Sequence, residues 1–210
     1  MALDDLAELI APKQVVICEG SPLGSSGRNI QMDAVCYNTI FTREFPDTRF
    51  LSGGDTKSVE TDRIALMEAI KALVEGTKLV RLVDRDEKSD EEVQEFMKRG
   101  IRVLRRRHLE CYLFDDEVII ELCKRNGGEN DVDDIVNEKN NIILKIHNEQ
   151  NKPIDDVKSS SGFIYNMLKQ RLRLNKSGSN AKEFIRSVLA PIITSDMNVY
   201  QELRKDIFDI

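Results

Sequence analysis

Residues 78–86 constrain the fold most, because a short apolar run there ends abruptly in two carboxylates. The Leu and Val content of the run, which follows Gly76, predicts a buried strand of a parallel sheet. Asp84 and Asp86 lie at its carboxyl end, and residues two apart in an extended chain point to the same side. Open α/β sheets bind their ligands just outside this end of the strands. Taken alone, the motif favours an ordinary acidic turn between a strand and a helix over a binding site.

Three other segments are predicted to be strands of the same sheet. They are Gln14–Cys18, the brief pair Phe50 and Leu51, and residues 101–104. Segments with helical periodicity separate the four strands. This alternation predicts an α/β fold with a four-stranded, mainly parallel sheet flanked by helices.

Helical patterns also precede and follow the α/β segment. Apolar side chains recur at helical spacing over residues 3–10, and beyond Arg105 they recur every three to four residues to the end of the chain. We therefore predict an N-terminal helix over residues 1–12, an α/β domain over residues 13–125 and a helical C-terminal region over residues 126–210.

The composition excludes several classes of protein. The 210 residues are 40% hydrophobic and 32% charged, which is typical of one soluble domain with an appendage. No apolar stretch approaches the roughly 20 residues of a membrane helix, and the first ten residues lack the basic start of a secretory signal. We therefore expect a cytoplasmic protein. The four cysteines form no Cys-x-x-Cys pair, which argues against zinc, and the net charge of −6 argues against a basic coat protein for nucleic acid.

Four carboxylates follow predicted strands and are expected to converge if those strands are neighbours. Glu19 follows the first strand, Asp84 and Asp86 follow the third, and Glu110 comes after the fourth. Four acids at one sheet edge would repel one another without a cation. Their oxygen atoms suit one or two Mg²⁺ or Mn²⁺ ions, which activate water and stabilise the leaving oxygen of a phosphodiester.

The motifs at these strand ends resemble a known family. Val-Val-Ile-Cys-Glu-Gly, then Ser-Gly-Gly, then Leu-Val-Asp-Arg-Asp are similar to the Toprim domain of topoisomerases, primases and small nucleases. Arg-Arg-Arg-His-Leu-Glu-Cys-Tyr-Leu-Phe narrows the resemblance to the OLD (overcoming lysogenisation defect) nucleases and related effectors of bacterial phage defence. The similarity covers residues 13–125. It implies a Rossmannoid, Toprim-like fold, a metal-dependent nuclease acting on DNA or RNA, and an AAA-type or ABC-type ATPase partner, and it is compatible with a homodimer.

The resemblance also implies roles for the four acids. Glu19 corresponds to the first metal ligand or proton shuttle, Asp84 and Asp86 to metal ligands, and Glu110 to the further acid of the nuclease branch. The family follows its first Glu closely with an Asp, whereas here Asp33 is the nearest candidate ligand.

Basic residues are candidates for contacts with nucleic acid. Some OLD-type nucleases use a Lys from the tail, for which Lys158 and Lys176 are both candidates. Arg105, Arg106 and Arg107 either clamp substrate phosphates or form an ordinary solvated strand end.

Two small motifs each have two interpretations. His108, next to Glu110, either relays protons or has a structural role. Ser52-Gly53-Gly54 either binds a phosphate through backbone N–H groups or provides a turn with positive φ, and we favour the turn.

Three functions remain open on the sequence alone, with a metal-dependent nuclease leading. Primase-like nucleotidyl transfer or topoisomerase strand passage is the second, although 210 residues leave no room for the other machinery. A regulatory module with a purely structural metal site, activated by or acting beside a partner, is the third. The chain has no Walker motif, so any ATP hydrolysis must come from a partner.

Overall fold

The computed structural model describes residues 12–20, 32–55, 59, 76–174 and 178–209. The helix predicted over residues 3–10, most of the helix predicted after Val59, and Lys176 lie outside the described residues. The chain forms two compact units. The described part of the first unit contains the sheet and two helices, and the second unit contains Arg85–Glu87 together with the chain from Leu104 onward. The domain limits at residues 12 and 125 stay predictions.

The described residues of the first unit form a four-stranded parallel sheet, as predicted. The spatial order is β2-β1-β3-β4. The second strand is longer than its two apolar residues indicated, and the fourth is one residue shorter. The strands are β1 (Gln14–Cys18), β2 (Thr48–Ser52), β3 (Lys78–Val83) and β4 (Ile101–Val103).

Helices α1 (Met32–Phe41) and α2 (Asp90–Lys98) flank the sheet. Side chains alternate between the two faces of a strand, so neighbouring residues of β1 serve different packing layers. On one face, Tyr37 and Phe41 of α1 stack on Phe50 with ring centroids 5.2 and 5.8 Å apart. On the other face, Phe96 of α2 packs against a cluster of buried apolar residues. That cluster contains Val15, Ile17, Val59, Val83 and Ile101.

The ends of α2 follow the sequence closely. The Ser89 hydroxyl accepts a hydrogen bond from the Glu92 amide, and the Glu92 carboxylate accepts one from the Ser89 amide, which forms a capping box. Gly100, with φ of +72°, follows the end of the helix. Met97 faces outward, with 53% of its surface exposed.

The second unit is helical in its described residues, as the three-to-four-residue periodicity predicted. Its buried apolar side chains come from several successive helices and include Tyr112, Ile135, Ile164, Phe184 and Leu203. No helix in the described part of the chain is long and apolar enough to cross a membrane. The helices are α3 (Glu110–Leu113), α4 (Asp116–Arg125), α5 (Val132–Gln150), α6 (Val157–Arg171), α7 (Ala181–Phe184) and α8 (Asn198–Phe208), with a π-helical turn at Ile185–Leu189 and 3₁₀ turns at Glu129–Asp131 and Ala190–Ile192.

Candidate metal centre

The carboxyl ends of the neighbouring strands β1 and β3 bring two predicted site residues together. Glu19 follows β1 and Asp84 follows β3. The Glu19 Oε1 atom accepts a hydrogen bond from the Asp84 amide at 3.2 Å. Asp84 is 7% exposed. The adjacency of the two strands therefore places these acids at the same sheet edge, as their sequence positions predicted.

Asp33 reaches the same edge from the first turn of α1. The helix is fixed to the edge strand β2 by Asn38, whose amide group makes two hydrogen bonds with the Phe50 backbone. The Asn38 Nδ2 atom donates to the Phe50 carbonyl at 2.9 Å, and the Phe50 amide donates to Asn38 Oδ1 at 3.1 Å. This pairing satisfies backbone groups that an edge strand leaves open. It also anchors the helix on which Asp33 lies.

All three carboxylates lie near the buried thiol of Cys18. Cys18 is the last residue of β1 and is 1% exposed. Burial raises the pKa of the Cys18 thiol well above its usual range, and the negative charges of Asp33, Asp84 and Glu19 raise it further. Three acids from three different elements thus act on one buried point, and Cys18 itself is a protonated, inert core residue.

The loop after β2 is locked against the end of β1 by backbone hydrogen bonds. The Gly53 amide donates to the Cys18 carbonyl at 2.7 Å, while Gly20 and Gly54 exchange hydrogen bonds of 2.8 and 2.9 Å. The amides of Gly53 and Gly54 therefore already donate hydrogen bonds within the protein. Gly54 has φ of +107°, which confirms that this Ser-Gly-Gly segment is a turn requiring glycine.

The hydroxyl of Ser52 is a feature of this edge that the sequence analysis missed. Ser52 is the last residue of β2 and pairs with Cys18 in the sheet register. Its Oγ atom is buried and has no hydrogen-bond partner among the described residues. The signal available in the sequence was a polar residue that follows the predicted strand and directly precedes Gly-Gly.

The donor set of this edge fits a hard divalent cation in its chemistry. Glu19, Asp33 and Asp84 contribute carboxylate oxygens, which Mg²⁺ and Mn²⁺ prefer. Among the described residues, no group of three or more His, Cys, Asp or Glu side chains is already arranged to hold a metal ion. Binding a cation therefore requires the carboxylates to close around it.

Asp86 belongs to the second unit, in the short segment Arg85–Glu87. Its amide donates to the Arg107 carbonyl at 2.9 Å, and the Arg107 guanidinium pairs with Glu87 at 2.6 Å. Asp86 itself has φ of +45°, in the left-handed region. Strain of this kind persists where the surroundings enforce it, and it is common at functional sites.

We predict that the backbone and the charge of Asp86 can be separated by substitution. Asn tolerates the left-handed region about as well as Asp, whereas Ala does not. Asp86→Asn should leave the free energy of unfolding within about 0.5 kcal/mol of the wild type, and Asp86→Ala should lower it by about 1 kcal/mol. Urea unfolding of both variants measures this difference. Equal stability of the two variants would show that residue 86 does not keep its left-handed backbone conformation in solution.

The predicted arginine cluster is engaged with carboxylates of the second unit. Arg105 pairs with Asp206 at 2.9 Å, Arg106 with Asp115 at 2.6 Å and Glu202 at 2.8 Å, and Arg107 with Glu87 and Asp155. The Arg107 side chain is 11% exposed and that of Arg105 is 42% exposed. All three have structural partners, and any phosphate must compete with those carboxylates.

Glu110 opens α3 and is buried beside His108. The His108 Nδ1 atom lies 3.4 Å from Glu110 Oε2, and Nε2 lies 3.3 Å from Asp156 Oδ1. Asp156 also caps α6 by accepting from the Ser159 amide at 3.0 Å. Lys158 is exposed in the first turn of that helix, and its amide lies 3.4 Å from His108 Nε2. The contacts of this buried imidazole with two carboxylates fit either of two roles, a proton relay or a structural link between the elements.

Of the predicted site residues, the structure thus brings Glu19, Asp33 and Asp84 together in the first unit. The second unit contains Asp86, Glu110, Arg105, Arg106, Arg107 and Lys158. No protein-family model, no curated protein and no solved structure matches this chain. The interpretation of the site therefore depends on its own geometry and chemistry.

Proposed function

We propose that the chain is a divalent-metal-dependent nuclease with a Toprim-like fold. One observation carries the proposal: Glu19, Asp33 and Asp84 all lie near the buried end of β1, at the carboxyl edge of a parallel sheet. Such an edge is where open α/β sheets bind ligands. Carboxylates that share one sheet edge, one of them buried, repel one another less when a cation is bound.

In this proposal the carboxylates hold one or two Mg²⁺ or Mn²⁺ ions, which supply activation of water and stabilisation of the leaving oxygen. The water oxygen forms a bond to phosphorus as the bond from phosphorus to the sugar oxygen breaks, and the proton leaves through a nearby base. Glu19 is proposed to act as ligand or proton shuttle, and the resemblance gives Asp86 the role of a further metal ligand and Glu110 that of the further acid. Lys158 and Lys176 remain candidates for the tail lysine.

The resemblance to OLD-type nucleases extends the proposal to a biological setting. The substrate is DNA or RNA, and the partner is an AAA-type or ABC-type ATPase in defence against phage. The chain itself carries no Walker motif, so the ATPase is proposed to be supplied by another protein or domain.

A non-catalytic metal-binding module, or one that cleaves only beside its partner, is the second candidate. The ion pairs of Arg105, Arg106 and Arg107 favour it, because each guanidinium already has a carboxylate partner. A nuclease that works alone needs cations directed to substrate phosphates.

The test is cleavage by the purified protein of supercoiled plasmid, linear DNA and tRNA, each with Mg²⁺, with Mn²⁺ and with chelator. The Asp84→Ala/Asp86→Ala protein is prepared in parallel, so that a contaminating nuclease would appear in both preparations. We expect cleavage that requires the metal and is lost in the double variant. The substrate that is cut identifies DNA or RNA as the target.

Two other outcomes separate the candidates. Cleavage that appears only after an ATPase partner is added supports the partner-activated enzyme. Absence of cleavage under every condition, with metal binding retained, supports the non-catalytic module and overturns the nuclease.

A further inference from the structure

The side chain of Ser52 has an unusual environment for a hydroxyl group. Ser52 is 2% exposed, and its Oγ atom is buried without a hydrogen-bond partner among the described residues. Buried polar groups are almost always hydrogen-bonded, so an exception calls for an unseen water, an ion or a functional role. Its position at the end of β2 places this hydroxyl at the same edge as Glu19, Asp33 and Asp84.

The backbone of Gly20 lies close to the Ser52 hydroxyl and, somewhat further away, to the Asp33 carboxylate. A Cβ atom placed on Gly20 would lie 2.9 Å from Ser52 Oγ and 3.8 Å from Asp33 Oδ2. Any other residue at this position would collide with the hydroxyl. Gly20 also has φ of +128°, and its paired hydrogen bonds to Gly54 hold the backbone in place. The glycine therefore allows a close approach to Ser52, and the Ser52 hydroxyl and the Asp33 carboxylate lie near the same point of the sheet edge.

We propose that the Ser52 hydroxyl holds a water molecule of the cation bound by Glu19, Asp33 and Asp84. This inference rests on the proposed metal site and adds a positioning residue to it. Mg²⁺ dehydrates reluctantly and keeps several of its waters in protein sites, so those waters need protein partners. A serine hydroxyl both donates and accepts, and here it has no other partner among the described residues. Groups that orient a metal's ligands commonly change its affinity 10- to 100-fold when removed.

Ser160 provides a matched control. It is a serine with 0% exposure, its Oγ atom also has no partner among the described residues, and it lies on α6 in the second unit. Ser52→Ala and Ser160→Ala remove the same atom from equally buried sites. Only Ser52 belongs to the unit that contains Glu19, Asp33 and Asp84.

The experiment is calorimetric titration of the metal-free protein with MnCl₂, with the thermal midpoint measured with and without the ion. The proteins compared are the wild type, Ser52→Ala and Ser160→Ala. We expect Ser52→Ala to weaken Mn²⁺ binding about tenfold and to reduce the metal-dependent rise in midpoint. Its metal-free midpoint should not fall, because the lost hydroxyl has no hydrogen-bond partner among the described residues. Ser160→Ala should bind Mn²⁺ within about twofold of the wild type.

The outcomes distinguish this inference from the function on which it rests. If the wild type binds Mn²⁺ and Ser52→Ala binds it equally well, the role of Ser52 is overturned while the metal site stands. If the wild type does not bind Mn²⁺, both are overturned. A fall in the metal-free midpoint of Ser52→Ala, with no change in Mn²⁺ affinity, would assign the hydroxyl a purely structural role.

Discussion

Asp84→Asn is expected to lower metal-dependent cleavage by about 10³-fold or more while leaving the protein folded. The substitution replaces one carboxylate oxygen by an amide nitrogen, so the shape of the side chain is kept. An amide is a neutral and weaker ligand for a hard cation than a carboxylate is. The measurement is the initial rate of cleavage of the preferred substrate at saturating Mg²⁺ or Mn²⁺.

The same variant should be no less stable than the wild type without metal. Asp84 is 7% exposed and shares its edge with Glu19 and Asp33, so removing its charge reduces electrostatic repulsion. We expect a free energy of unfolding equal to that of the wild type or higher by up to about 1 kcal/mol. Added metal should stabilise the wild type and have little effect on the variant.

Asp90→Asn is the matched control for this prediction. Asp90 is an exposed residue of the first turn of α2, in the same unit as Asp84. Its replacement should reduce stability by at most about 1 kcal/mol through the helix dipole and leave cleavage within a few-fold of the wild type. Cleavage by Asp84→Asn at the wild-type rate would remove Asp84 from the proposed active site.

The strands and the acids at their ends could be predicted because both depend on local sequence. Apolar runs such as Val15 to Cys18 form buried parallel strands, and whatever follows such a strand lies at the carboxyl edge of the sheet. The position of Glu19 beside Asp84 needed only the further condition that β1 and β3 be neighbours. The capping box at Ser89 was predictable for the same reason, since its hydrogen bonds span three residues.

Features that depend on long-range pairing could not be predicted. Asp33 reaches the edge because Asn38 pairs with the backbone of Phe50, twelve residues away, and nothing in the local sequence specifies that contact. That the Ser52 hydroxyl is buried without a partner among the described residues depends on the pairing of β2 with β1, which the local sequence does not specify. The arginine cluster presented the same difficulty, because Asp206, which engages Arg105, and Glu202, which engages Arg106, lie 101 and 96 positions later.

The ion pairs of Arg106 lead to the largest expected effect on stability. Its Nη1 atom donates to Asp115 at 2.6 Å and to the Cys111 carbonyl at 3.0 Å, while Nε and Nη2 bond the two oxygens of Glu202. The guanidinium also lies 4.8 Å from the centre of the Tyr112 ring. Burial opposes the charge, but the hydrogen bonds from Glu202 and Asp115 outweigh it, and the pKa of Arg106 is raised.

Arg106→Ala should therefore lower the free energy of unfolding by about 2–3 kcal/mol, because two partly buried carboxylates and a carbonyl lose their donor. For a chain of this size the thermal midpoint should fall by about 5–10 °C. Arg105→Ala should cost less than about 1 kcal/mol, since its side chain is 42% exposed and Asp206 keeps its hydrogen bonds from the Arg105 amide and Tyr112. Thermal and urea unfolding of the two variants measure the difference. Equal losses in the two variants, or none in Arg106→Ala, would contradict a structural role for Arg106 and return it to the candidates for phosphate binding.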